Sequence, residues 1–235
     1  MAKTNPGYYT PLMTSRTAKT LREMYDALLA AYGPQGWWPA QTATEVIIGA
    51  ILTQNTAWRN VERAIENLRQ AGALDWAVLR DLPFEDLAEL VRPAGTFNVK
   101  TRRLKVFVNW LWERFDGSLE RMFAMPLYAL REELLEVSGI GRETADAILL
   151  YAGGLPTFVV DAYTARILRR HGLIDTEAGY EDIKELFESN LPADTPMFNE
   201  YHALLVHVGK THCRPRPRCS ACPLERFPHD VETAD

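Results

Sequence analysis

Apolar residues recur at helical spacing along almost the whole of this chain and nowhere alternate between hairpin turns, so a core can form only by packing helix on helix. Leu21, Tyr25, Leu28, Leu29 and Tyr32 make one such stripe, and Gly33-Pro34 stops it. Thr42 with Glu45 three residues on reads as a capping box opening the helix that carries Val46 to Leu52. Further helices are expected at 57–71, 75–81, 84–91, 99–115, 119–124, 127–136, 142–152, 161–171, 179–190 and 196–211, several behind a proline at the start, as at Pro83, Pro126 and Pro196. The run Thr157 to Val160 looks extended, but one short segment makes no sheet. The fold class is all-α.

With 235 residues, 47% hydrophobic and 24% charged, such a chain can bury one large core or two smaller ones. Its net charge of −5 argues against a uniformly basic nucleic-acid face, although a local patch can sit on an acidic body. No stretch approaches the roughly 20 apolar residues that span a bilayer. Met1 to Thr20 lacks a signal-type apolar core and reads as a loose polar lead-in, so the expected location is the cytoplasm, with no membrane partner. All three cysteines, Cys213, Cys219 and Cys222, fall close together near the C-terminus. In a reducing compartment, that clustering points to metal rather than to disulfides.

The segment from Leu134 to Leu150 reads as a helix, a turn Ser138-Gly139-Ile140-Gly141 and a second helix from Arg142. Two glycines let the backbone turn sharply and bare its N–H groups, and the second helix starts with open donors and a positive dipole end. That combination suits a phosphate. Downstream, Asp161 follows the apolar run Phe158-Val-Val; its ordinary role would be a helix cap. The turn Gly139-Ile-Gly-Arg-Glu-Thr-Ala, then Pro156-x-x-Val-Val-Asp161 and Arg166, resembles the helix-hairpin-helix, Gly/Pro-rich loop and aspartate of the endonuclease III superfamily of DNA glycosylases. The resemblance runs from about Trp37 to Cys222. It implies a groove between two helical domains, double-stranded DNA with a damaged base as partner, Gly139, Gly141, Arg142 and Thr144 on DNA, and Asp161 at the flipped nucleotide.

Members of that superfamily that also cut the strand carry a lysine after Gly-x-Gly-Arg, whose amine forms a Schiff base with the sugar. Here that position is Glu143, and a carboxylate cannot form the imine. The reading is therefore a glycosylase that cuts only the base–sugar bond. Water would be the nucleophile, with Asp161 as the main carboxylate and Glu143 either assisting or capping the second hairpin helix.

Trp37-Trp38-Pro39 and Trp58 are the candidate base pocket. Packing is the default role of tryptophan, but two adjacent indoles and a proline in a connecting loop are hard to bury together. Aromatic faces stack on an extruded base and attract a cationic one. Trp-Pro, then Leu52-Thr-Gln-Asn-Thr-x-Trp, Val91-Arg-Pro-x-Gly-x-Phe-Asn98 and Gly-Ile-Gly-x-Glu-x-Ala-Asp146 are similar to the 3-methyladenine glycosylase branch, which also carries Glu for the lysine. That resemblance implies alkylated purines as substrate, Gln54 inserted in the gap left by the flipped base, and Lys210 near the pocket. Lys210 is otherwise an ordinary cation at a helix C-terminus.

The cysteines, separated by five and two residues, resemble the C-terminal [4Fe–4S] loop of endonuclease III. That loop normally supplies four; here the first gap is one residue short and the fourth place falls on Pro228. A cluster with His229 or Asp230 as fourth ligand is favoured over a Cys3His zinc site or a degenerate relic. Arg214, Arg216 and Arg218, spaced by prolines, would contact phosphate from the same loop, and Lys100, Arg102, Arg103 and Lys105 form a second basic run.

The expected architecture is two helical lobes: residues 37–146, a helical barrel ending in the hairpin, and 1–36 with 147–235, carrying the cluster. The resemblance implies a monomer. Two other readings remain: an endonuclease III-like enzyme for oxidised pyrimidines with weak strand cleavage by Lys210, and a DNA-damage-binding protein with a dead active site.

Overall fold

The computed structural model describes residues 15–230, and among them every regular element is helical. The chain divides into two compact units: Gly36–Val159, and the residues up to Gln35 together with those from Val160 on. The division falls later than the break expected after residue 146. The reason is that Ile148, Leu149 and Leu150 are buried and their segment packs on the helix that runs through the middle of the first of these units.

That helix is α2 (Ala43–Leu52), and its residues from Glu45 to Leu52 are all buried. A helix buried on every side is a core helix, and α3 (Trp58–Gln70), α6 (Phe97–Phe115) and α9 (Arg142–Ala147) pack on it. The unit also contains α4 (Trp76–Asp81), α5 (Phe84–Val91), a 3-10 turn (Arg92–Ala94), α7 (Leu119–Phe123) and α8 (Leu127–Glu136). Helix α9 continues into a π-helical turn, Ile148–Ala152. In α3 the buried residues Val61, Ala64, Ile65 and Leu68 keep the helical spacing that the sequence displays, while its Arg and Glu residues face outward.

Helix starts are set by short polar side chains. Thr42 accepts from the Glu45 amide, Asp75 from Ala77 and Val78, and Ser118 from Arg121. The expected box at Thr42 closes one residue early: Glu45 Oε2 takes the Gln41 N–H at 2.8 Å, and its other oxygen accepts from Arg69 at 2.9 Å. A buried ion pair, Asp146 with Arg131, joins several segments. Its carboxylate is wholly buried and takes Nε and Nη2 at 2.8 and 3.0 Å, with the Thr157 hydroxyl at 3.2 Å.

The second unit contains α1 (Arg16–Tyr32), α10 (Ala162–Arg170), α11 (Tyr180–Asn190) and α12 (Thr195–Thr211). Helices α1 and α10 both pack on α12. Tyr201 is fully buried there, with its hydroxyl on the Leu21 carbonyl at 2.8 Å and its ring edge-on to Tyr25 and Phe187. The polar lead-in expected over 1–20 lies outside the described residues up to Thr14. Beyond that it is corrected, because Ser15 caps the Ala18 amide and starts α1 at Arg16. Among the described residues no helix is long and apolar enough to cross a membrane.

Asp146→Ala leaves the Arg131 guanidinium without its buried counter-charge. We expect it to destabilise the unit Gly36–Val159 by about 3–5 kcal/mol, read from urea denaturation followed by helical circular dichroism.

Candidate functional site

Helix α8 ends at Glu136 with Val137 as its C-cap, and Ile140, buried under the turn, returns its N–H to the Val137 carbonyl at 2.9 Å. Gly139 has φ +94°, and a Cβ there would stand 2.4 Å from Arg103 Cγ. The glycine is therefore required twice, for its backbone conformation and for the close approach of α6. Gly141 enters α9 in extended conformation without a side-chain cap, and Gly141, Arg142 and Glu143 are exposed. The sharp turn thus presents the start of a helix to solvent, as the sequence anticipates.

Gln54, in the turn after α2, is brought onto this hairpin. Its amide donates to Gly139 O at 3.1 Å and Thr144 Oγ1 at 2.9 Å, and its carbonyl accepts from Arg103. Thr144 is buried, so its hydroxyl braces Gln54 rather than facing outward.

The three tryptophans of the candidate pocket do gather, with Trp38 at the centre. Its ring centroid lies 5.5 Å from Trp37, 5.0 Å from Trp58 and 5.1 Å from Tyr151. Beneath them α2 carries Gly49, where an added Cβ would meet Trp58 Cη2 at 3.3 Å and Trp38 Nε1 at 3.4 Å. All three indole Nε1 atoms are shielded from solvent with no hydrogen-bond partner among the described residues. Buried unpaired donors are costly, at about 1–3 kcal/mol each, and a cluster of them suits a site that a polar ligand completes. Pro39 is exposed beside them.

In the other unit, Asp161 caps α10, accepting the Thr164 amide on Oδ1 at 2.7 Å. Its Oδ2 lies 3.8 Å from Nε2 of His202, on α12. Burial holds His202 below the ordinary histidine value; the Asp161 carboxylate opposes that shift and Lys210 adds to it. Lys210 is exposed in the last turn of α12.

Cys213, Cys219 and Cys222 line one cavity together with His171, His212 and His229. Asp230 does not line it; its backbone N–H bonds the Arg170 carbonyl at 2.7 Å. Arg170, buried, holds the loop by donating to the Arg214 and Pro215 carbonyls at 2.7 and 3.2 Å, and its Nη1 stands 3.4 Å from Cys213 Sγ. Arg166 also donates to the Cys213 carbonyl, at 2.7 Å. Three thiols with a cation beside them match the donor chemistry of an anionic iron–sulfur cluster. Among the described residues no three His, Cys, Asp or Glu side chains are drawn together as ligands of a single ion. Burial pushes the Cys222 thiol up. Arg214, Arg216 and Arg218 are exposed on this loop.

The second basic run is not a patch. Lys100 is buried on the Ala94 carbonyl at 2.5 Å, Lys105 caps the end of α4 on the Leu79, Arg80 and Leu82 carbonyls, and Arg103 holds Gln54. Helix ends leave carbonyls without partners, and these amines supply them. Only Arg102 of the four is exposed. Sequence reasoning missed Tyr151, Gly49 and His202. Tyr151 and His202 carry a faint signal, as a lone aromatic and a lone imidazole inside otherwise apolar runs.

An all-helical chain with this glycine hairpin and capping aspartate defines a class. It belongs to the HhH-GPD superfamily of base excision DNA repair proteins, whose model matches residues 48–193, and is by family a DNA glycosylase. Over 217 residues, 92% of this chain and 98% of the relative, it is 46% identical to a Methanocaldococcus jannaschii protein carried under the provisional name of DNA repair glycosylase. It is 28% identical to endonuclease III of Thermotoga maritima over 181 residues, 77% of this chain and 79% of that one. The crystal structure of H. pylori 3-methyladenine DNA glycosylase bound to 1,N6-ethenoadenine superposes with a TM-score of 0.69 and 29% identity, covering 83% of this chain and 97% of that one.

Gly139→Ala forces both a left-handed φ on a Cβ residue and a clash with Arg103. We expect a loss of about 1–3 kcal/mol in stability, read by thermal melting, together with weaker binding of duplex DNA in a filter-binding titration.

Proposed function

We propose that this chain is a monofunctional glycosylase that hydrolyses the base–sugar bond of alkylated purines, of 3-methyladenine type, in double-stranded DNA. The observation that carries the specificity is the nest of Trp37, Trp38, Trp58 and Tyr151 over Gly49, with its unpaired indole donors. An N-alkylated purine is cationic, so electron-rich ring faces attract it more than a neutral base. It is also already weakly bonded to the sugar and needs no strong general acid. The likeness to the H. pylori enzyme supports the same reading.

As the bond to the base breaks, positive charge develops on the sugar. The Asp161 carboxylate offsets that charge and orients or deprotonates the attacking water. Glu143 stands where a strand-cutting relative has its lysine, so no imine forms and the product keeps its strand. Its exposed position in the first turn of α9 also suits a favourable charge–dipole contact. Gly139, Gly141 and Arg142 would hold phosphate through open amides and a guanidinium, and Arg214, Arg216 and Arg218 would do so from the cysteine loop. Gln54 would enter the gap left by the extruded base, exchanging its bonds to the hairpin for bonds to the orphaned partner base. Pro39 would border the base pocket.

Cys213, Cys219 and Cys222 would hold a [4Fe–4S] cluster, with His229 rather than Asp230 as fourth ligand, because His229 borders the thiol cavity. The His229 Nδ1 lies 2.8 Å from the Phe227 carbonyl, an arrangement that leaves Nε2 for metal. When bound, the cluster cross-links the loop that carries the three arginines. The protein would act as a monomer.

On duplex carrying 3-methyladenine we expect base release, with strand breaks only after alkali. Breaks without alkali on a thymine glycol duplex, or borohydride trapping of an enzyme–DNA adduct, would overturn the Glu143 argument in favour of endonuclease III chemistry. DNA binding without release on either duplex would mark a binding protein. Anaerobically purified protein should contain about four iron atoms and as many sulfides per chain, and His229→Ala should lower that content. Stoichiometric zinc without sulfide would replace the cluster.

A further inference from the structure

His202 is an expensive residue to keep where it is. It lies on α12 with 5% of its surface exposed, in a run otherwise made of Tyr201, Ala203, Leu204 and Leu205. An apolar side chain would fill the same space without the cost of burying a polar ring. Capping α10 requires one oxygen of Asp161, and that oxygen is taken by the Thr164 amide. The second oxygen, Oδ2, faces His202 Nε2 at 3.8 Å. That is too long for a hydrogen bond but close enough for strong charge coupling, since Asp161 and His202 keep only 13% and 6% of their side-chain surface exposed.

We propose that His202 is a positioning residue for Asp161, which holds the carboxylate in one orientation and, by taking up a proton, switches off its charge. The proposal rests on the reading of Asp161 as the reacting carboxylate. While the imidazole is neutral, the full negative charge of Asp161 is available to a sugar becoming positive. Once the imidazole is protonated, its charge cancels most of that field, and base release slows. Burial lowers the imidazole below its ordinary value of 6.5, so the neutral form holds at pH 7 and activity is lost as pH falls through that lowered value. Charges that act on the ring include Asp161 on α10 and Lys210 further along α12. On α1, Asp26 acts on the neighbouring Tyr201 phenol.

The test is single-turnover base release from N-methylated duplex DNA at saturating enzyme, from about pH 5 to about pH 8, for the wild-type chain, His202→Asn, His202→Gln and Asp161→Asn. The wild type should lose activity about tenfold per pH unit on its acid side. His202→Asn should be slower at pH 8, by roughly tenfold to a hundredfold, with the acid limb gone, while binding of the duplex and thermal melting stay near wild type. His202→Gln serves the same comparison should the asparagine variant fold poorly. An acid limb that persists in both variants overturns the proposal while leaving Asp161 in place. Wild-type rates in Asp161→Asn overturn the reading of Asp161 itself, whatever the His202 variants do.

Discussion

Asp146 is buried to the last atom, and the route of the chain through the hairpin depends on what it holds. Its carboxylate grips Arg131 of α8 with both oxygens and takes the hydroxyl of Thr157, so the helix before the turn, the helix after it and the strand-like run leading to Asp161 are fixed to one group. Removed from water, the paired charges hold one another firmly, so the geometry is strongly over-determined. The phosphate binding proposed for this turn would benefit from that rigidity, because amides bind an anion best when they need no rearrangement to meet it.

The hairpin is fixed from a second direction. Gly139 lets α6 come within contact of the turn, and Arg103 on α6 reaches Gln54, which in turn bonds Gly139 and Thr144. The residue proposed to enter the DNA stack is therefore stored against the element proposed to hold the backbone. The aromatic nest is built by a related device, in which Gly49 on the core helix leaves room for indole rings where a larger residue would push them apart. Charge follows the same economy. An acidic chain of net charge −5 exposes three guanidinium groups together on the cysteine loop, and turns Lys100 and Lys105 inward to satisfy carbonyls at helix ends.

Much of this was legible in the chain itself. Thr42, Asp161 and Gly33 mark helix limits because capping is a local event, decided within a turn by short polar side chains and by glycine. The stripe of Val61, Ala64, Ile65 and Leu68 names its own buried face. Local rules failed where a long side chain could choose among distant partners. Lys100 and Lys105 look like a solvated run until Ala94 and the end of α4 are seen to need donors. Thr144 sits in the hairpin motif beside exposed residues, yet it points inward to Gln54, ninety positions away.

By itself, the sequence determined the all-helical class, the hairpin with its two glycines, the cap at Asp161, the glutamate in the lysine's place and the clustering of three thiols. Each of these is written in neighbouring residues, through backbone conformation, capping and covalent identity. Only the tertiary structure decided that Tyr151 joins the tryptophans, that His229 and not Asp230 borders the thiol cavity, and that His202 stands beside Asp161. Those are contacts between residues far apart in the chain. They are set by which helix faces pack together, and no local spacing encodes that.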